Sequence, residues 1–269
     1  MTMTASSPLL RVAGVTVRFG GLSAVADVSF DVRPGELLGL IGPNGAGKTT
    51  LMRSITGVVR PTAGSVSLQG EDITALPIHK RIQKGLALSQ QLVKPFRQIS
   101  VLDNVALAAG AQHTHSPLRA LTRLARQNEN TIARELLDRV GIAGYADQMP
   151  GIQPLGVLKR MEMARALALD PKLLLLDEPL AGLNSKEANA LASTIAQINQ
   201  QGMTIVLIEH NLSEVMRICQ RLVVLDNGRK IASGAPREVM EQPEVRAAYL
   251  GDAAAASEAE PASEGEQHA

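Results

Sequence analysis

The sequence predicts an α/β protein, with a mixed central sheet, an antiparallel β edge and a helical subdomain. Three observations carry that prediction. An apolar strand, Leu37 to Ile41, runs straight into a glycine-rich loop and a helical segment. Two more all-apolar runs, Leu173 to Leu176 and Thr204 to Ile208, flank a helix with Leu191, Ile195 and Ile198 at 4,3 spacing. Between about Ser100 and Leu169 strand patterning gives way to helical spacing, as at Ile132, Leu136, Leu137 and Val140. All-apolar strands joined by a helix are the pattern of a parallel sheet covered on both faces.

The elements follow in chain order. Leu10 to Val17 and Val25 to Val32 are rich in β-branched residues and are parted by Gly20-Gly21, so they read as strands joined by a turn. Pro34-Gly35 precedes the strand Leu37 to Ile41, and the segment Thr49 to Val58 reads as the helix after the glycine loop. Ser65 to Leu68, between Gly64 and Gly70, is a further strand and completes the antiparallel edge. Leu222 to Ala232 is a hairpin, because Asn227-Gly228 supplies the two residues that a type I′ turn requires.

Composition narrows the function classes. The 269 residues carry a formal net charge of +1 and 2% aromatic residues, which argues against a nucleic-acid partner, since phosphate contacts need excess Lys and Arg and base stacking needs aromatic rings. Cys219 is the single cysteine, so no intramolecular disulfide is possible and a reducing compartment is the expectation. No run approaches the 18 or so apolar residues of a membrane span, and Met1 to Pro8 has no secretory pattern. Residues 252–269 hold five acids and no Lys or Arg, leaving the remainder six charges positive; a low-hydrophobicity, one-signed segment of this kind is expected to be a disordered tail.

The strongest motif is Gly42-Pro43-Asn44-Gly45-Ala46-Gly47-Lys48-Thr49, which meets every fixed position of G-x-x-x-x-G-K-[ST] and lies between a strand and a helix. Glycines let successive N–H groups turn inward and approach phosphates closely. Lys48 adds a charge at the β/γ oxygens, and Thr49, followed by Thr50, opens a helix whose N-terminus favours anions. The Thr49 hydroxyl is also a candidate ligand for Mg²⁺. Asp177 and Glu178 end the strand Leu173 to Leu176, at the sheet edge where α/β proteins bind ligands. Asp177 is placed to hold Mg²⁺, and Glu178 to polarise an attacking water as a general base.

With these motifs the chain resembles the nucleotide-binding subunits of ABC transporters over residues 9 to 251, which implies an ABC-type P-loop NTPase fold with its helical subdomain at about 100–169. Gln91, after Gly85-Leu86-Ala87-Leu88-Ser89-Gln90, is similar to the family's Q-loop glutamine, which implies a role in catalysis and in the Mg²⁺ shell. His210, in Val206-Leu207-Ile208-Glu209-His210-Asn211, resembles the switch histidine that contacts the γ-phosphate. Ala181-Gly182-Leu183-Asn184 resembles the D-loop, although Asn184 suits a helix N-cap equally well. Phe19 stands where the family carries its adenine-stacking aromatic.

The family's signature, Leu-Ser-Gly-Gly-Gln, aligns with Gln153-Pro154-Leu155-Gly156-Val157, of which Gly156 alone is retained. The resemblance implies that Leu155 and Gly156 face ATP held by the opposite subunit. Pro154 there lacks both a hydroxyl and a backbone donor. Intact phosphate motifs beside a departed signature favour a heterodimer with a second ATPase subunit over a homodimer.

Phe19-Gly20-Gly21-Leu22 and the ending Ala248-Tyr249-Leu250-Gly251 resemble the branched-chain amino acid branch of importers. That resemblance implies an ATPase that uses ATP and Mg²⁺ to drive integral membrane permease subunits, served indirectly by a soluble substrate-binding protein. Its place is the cytoplasmic face of the inner membrane. Phe96 is a candidate contact for a permease coupling helix, or a core residue. The alternatives are a lipopolysaccharide-type exporter ATPase, a soluble non-transport ABC ATPase, and a regulatory subunit that binds ATP without turning it over.

Overall fold

A computed structural model describes residues 7–89, 94–111 and 123–249. In chain order, β1 (Leu10–Phe19), β2 (Leu22–Val32) and β3 (Leu37–Ile41) lead into α1 (Lys48–Thr56); β4 (Ala63–Leu68), β5 (Glu71–Asp72), α2 (Ile78–Gln83) and β6 (Leu86–Ser89) follow. Then come α3 (Val101–Ala111), α4 (Arg123–Arg139), α5 (Leu155–Leu167), β7 (Leu173–Asp177), α6 (Ser185–Gln200) and β8 (Thr204–Ile208). The last elements are α7 (Leu212–Ile218), β9 (Arg221–Asp226), β10 (Arg229–Gly234) and α8 (Pro236–Glu241).

The strands form two sheets, ordered β2-β1-β4-β5 and β10-β9-β3-β8-β7-β6. The first is antiparallel, with Leu10 opposite Val32 on one side and Leu68 on the other. The second is parallel from β9 to β6 and takes β10 as an antiparallel edge. Its turn is Asn227-Gly228, with φ of 46° and 76°, the two positive values that a type I′ turn demands.

Continuous apolar strands have a physical reason here. Leu38 and Leu40 of β3, with Leu173 and Leu175 of β7, pack toward α1 and the antiparallel sheet; Leu37, Ile41, Leu174 and Leu176 pack toward the helices on the other face. Either face left bare would expose a row of leucines to water. In α4 the fully buried residues Ala133 and Leu137 continue into Val140 just past its end, while Ile132 and Leu136 lie at the margin, partly covered.

The structure adds elements that patterning does not reveal: the edge strand β6, paired in parallel with β7, the two-residue β5, and the short helices α2, α7 and α8. It also moves several boundaries: β2 starts at Leu22 and β4 at Ala63, ahead of Val25 and Ser65. Strand β1 continues to Phe19, where it pairs with Leu22, and α1 stops at Thr56 because Gly57 takes the left-handed conformation and its N–H turns back to the Ser54 carbonyl.

Candidate functional site

Strand β3 delivers the chain to the glycine loop at the C-terminal edge of the parallel sheet. Gly42 has φ of 149°, and a Cβ there would stand 2.0 Å from the Leu225 carbonyl oxygen, so only glycine lets the loop leave β3 beside β9. At Gly47, with φ 96°, a Cβ would stand 2.5 Å from the Ala24 carbonyl oxygen, and this residue forms the N-cap of α1. Lys48 is 7% exposed and curls back over the loop, its Nζ donating to the carbonyls of Gly42 at 2.6 Å and Pro43 at 2.8 Å.

Above the loop lies a cleft of about 490 Å³. Its floor is Asn44 to Thr50, one wall is Leu22 to Ala24, and Glu178 and the Asn227-Gly228 turn close its sides. Loop amides and the first turn of α1 thus face a polar, open space, which is the arrangement that binds phosphate groups.

The carboxylates come from β7. Asp177 pairs in register with Ile208 of β8, and its Oδ1 is buried without a hydrogen-bond partner. Burial pushes its carboxyl above the usual range, reinforced by the Glu178 charge and opposed by Arg53, Lys159 and Lys48. A buried carboxylate oxygen without a donor, within electrostatic reach of Lys48 of the loop, is a hard-oxygen ligand of the kind that suits Mg²⁺, and the exposed Thr49 hydroxyl is another. Glu178 stands in the left-handed region at φ 47°, donating its N–H to the Ile208 carbonyl at 3.0 Å.

His210 follows β8 with its side chain 59% exposed and Nδ1 3.9 Å from Glu209 Oε2. Asn184 forms a capping box with Glu187, each side chain accepting from the other's backbone N–H, so the N-cap reading of this residue holds in the structure. Asn44 to Thr50 and Glu178 therefore meet at one cleft; Asp177, the residue before Glu178, is not among the residues that line it. Phe19 does not line it; this ring is 53% exposed at the end of β1, and Leu22, its partner across the turn, provides the wall. Leu155 and Gly156, which open α5, do not line the cleft either; Gly156 lies beside Leu183 and Glu187. Gln91 lies outside the described residues, as does the acidic segment 252–269.

Two buried charges at the site escaped the sequence reading. Lys159, on α5, donates Nζ to the Glu178 carbonyl at 3.1 Å. Glu209 is fully buried and accepts from the Leu180 N–H at 2.7 Å and the His210 N–H at 3.2 Å. One signal was available: Lys159 stands on the buried 4,3 stripe with Met163 and Ala166, where a lysine needs a partner.

A strand-loop-helix phosphate cradle with acids at the neighbouring strand end defines a P-loop nucleoside triphosphatase. The chain belongs to the ABC transporter family, whose sequence profile matches residues 25–181; a second profile, described as branched-chain amino acid ATP-binding cassette transporter, matches residues 229–255. It is accordingly an ATP-hydrolysing subunit. Among curated relatives, the high-affinity branched-chain amino acid transport ATP-binding protein BraF of Pseudomonas aeruginosa is 37% identical over 257 residues, covering 92% of this chain and 100% of that one. LivG of Escherichia coli, of the same description, is 37% identical over 254 residues, with 92% and 100% covered. The lipopolysaccharide export system ATP-binding protein LptB of Acidithiobacillus ferridurans is 37% identical over 246 residues, with 91% and 98% covered. Among solved structures, the ADP conformation of an ATP-binding cassette of an ABC transporter superposes with a TM-score of 0.79 at 27% identity, over 91% of this chain and 100% of that one. A nucleotide-free cassette gives 0.79 at 28%, over 90% and 99%.

Proposed function

We propose that this chain energises import of branched-chain or related hydrophobic amino acids or amides by binding and hydrolysing ATP beneath a pair of membrane permeases. The observation that supports this reading is the match of residues 229–255 to the branched-chain amino acid cassette profile, together with full-length similarity to BraF and LivG.

The residues divide the work. Amides of Gly45 to Thr50 cradle the β- and γ-phosphates, and Lys48 exchanges its two loop carbonyls for phosphate oxygens. Leu22 to Ala24 offer the wall for the nucleoside. Asp177, the Thr49 hydroxyl and Gln91 would hold Mg²⁺, which supplies neutralising charge at the β- and γ-oxygens. Glu178 accepts a proton from the attacking water, and His210 donates to a γ-phosphate oxygen. Leu155 and Gly156, which do not line the chain's own cleft, would meet ATP on a second ATPase subunit. Departure of the signature at Pro154 favours an unlike subunit in that place. Phe96 is half exposed under the Arg165 guanidinium, 5.3 Å from the ring centroid, and presents an apolar contact for a permease coupling helix. On this reading the chain works peripherally at the cytoplasmic face of the membrane; no helix among the described residues is long and apolar enough to cross it.

The test is reconstitution of the chain with the membrane proteins and second ATPase that co-purify with it. ATP-dependent uptake of radiolabelled leucine, lost on Glu178→Gln while ATP binding persists, is the expected result. Turnover stimulated by lipopolysaccharide and indifferent to leucine and its binding protein would overturn the importer in favour of the exporter.

A further inference from the structure

We propose that Lys159 and Glu209 are positioning residues that hold the backbone under the general base, and that Lys159 links that base mechanically to the helix α5. The inference rests on the assignment of Glu178 as base and adds the device that keeps it in place.

Glu178 occupies a left-handed conformation at φ 47°, where its Cβ crowds the following carbonyl oxygen. Neighbours must therefore hold it there. On its amide side the Ile208 carbonyl accepts at 3.0 Å; on its carbonyl side the Lys159 ammonium donates at 3.1 Å. Two residues further on, Glu209 Oε1 accepts the Leu180 N–H at 2.7 Å, while its Oε2 accepts the N–H of His210 at 3.2 Å. One carboxylate thus spans the turn after the base and the start of the loop that carries the histidine.

Both groups lie where water cannot replace them: Lys159 is 6% exposed and Glu209 is fully buried. Burial opposes the Lys159 charge, and Glu209, Glu178 and Asp177, strongest first, favour it. Losing either charge leaves the other beneath the cleft with weaker compensation. Lys159 also sits one turn inside α5, whose first residues are Leu155 and Gly156. A displacement of α5 when its N-terminus meets a partner's nucleotide is therefore transmitted to the carbonyl of Glu178.

The experiment compares ATP binding and turnover of the assembled transporter carrying Lys159→Met, Glu209→Gln, both together, or Lys159→Arg. Lys159→Met and Glu209→Gln are each expected to lower kcat about tenfold or more while the ATP dissociation constant stays within about twofold. Lys159→Arg should recover part of the loss, and the double variant should lose less than the product of the singles, because each acts through the other. Should Lys159→Met fail to fold, the near-isosteric Glu209→Gln carries the test. Unchanged kcat in Glu209→Gln, or multiplicative losses in the double variant, would overturn the proposal. Glu178→Gln run alongside separates the two levels: if it keeps the full wild-type turnover, the base assignment fails, whereas a fall there to the residual rate of the second subunit's site, with wild-type kcat in Lys159→Met, sinks the positioning role alone.

Discussion

Lys48 Nζ lies 2.6 Å from the carbonyl oxygen of Gly42, the residue that opens its own loop. The contact keeps a nearly buried ammonium hydrogen-bonded and poised over the cleft, so that phosphate oxygens can replace the carbonyls without dragging the side chain in from water. Substituting Lys48→Ala removes the one side-chain cation of the loop. ATP affinity should fall on the order of 100-fold, the scale of charged hydrogen bonds to a phosphate, while circular dichroism remains that of the folded chain. Isothermal titration with ATP checks it, and unchanged affinity would place the phosphate site elsewhere.

A second prediction concerns the far end of the same helix. The fully buried Arg81 donates Nη1 to the carbonyls of Ser54 and Ile55, both at 2.7 Å, Nε to Leu76 at 2.9 Å and Nη2 to Thr74 at 2.8 Å. It satisfies the orphan carbonyls that end α1 and places a cation at the negative pole of the helix. Arg81→Met should destabilise the chain by about 3 kcal/mol or more in urea unfolding, since several buried acceptors lose their donor together. Arg81→Lys should recover only part, because a point charge cannot reach four carbonyls as a planar fork does.

The parts of this fold that the sequence makes legible are those where local pattern and tertiary role coincide. Strands β3, β7 up to Leu176 and β8 from Ile205 are apolar because both faces are covered, and the phosphate loop is written in glycines, two of which, Gly42 and Gly47, have no room for a Cβ. Strand β6 was hidden for the opposite reason: Leu86-Ala87-Leu88-Ser89 has no β-branched residue, and pairing with β7 imposes its extended state. Helix α2 is six residues long, too short to show a period. At the site, Asp177 and Glu178 were readable from their place at a strand end. The buried supports Lys159 and Glu209 were not, since their meaning lies in backbone atoms 19 and 29 residues away.

A third prediction follows from Cys219, buried beneath α7, with Sγ so near Gly39 that a Cβ there would stand 3.1 Å from it. Burial, with a contribution from the Glu209 charge, pushes the thiol up to about 12. At pH 8 about one thiol in ten thousand is then ionised, and the thiolate is the reactive form. Iodoacetamide at pH 8 should leave the native chain unmodified by mass spectrometry and alkylate it once urea unfolds it. Rapid labelling of the native chain would mean that α7 opens readily from the sheet.

The last prediction addresses the altered signature. Pro154 is the N-cap of α5, at φ −56° and ψ 151°, and no side chain caps the first turn. Those angles are open to serine as well, so Pro154→Ser introduces no backbone strain while adding a hydroxyl and an N–H at the end of a helix whose first turn is exposed at Leu155. As a cap, serine should add about 1 kcal/mol to the stability of the free chain. In the assembled transporter it should act on ATP held by the second subunit. With the chain's own site silenced by Glu178→Gln, the turnover that remains belongs to that reciprocal site, and Pro154→Ser should raise it several-fold by supplying donors to the γ-phosphate. Steady-state hydrolysis by the silenced complex, with and without the serine, is the measurement. An equal rate in both would mean that the proline-capped helix already serves the reciprocal site through its backbone alone, and the argument from Pro154 for unlike ATP sites would fall.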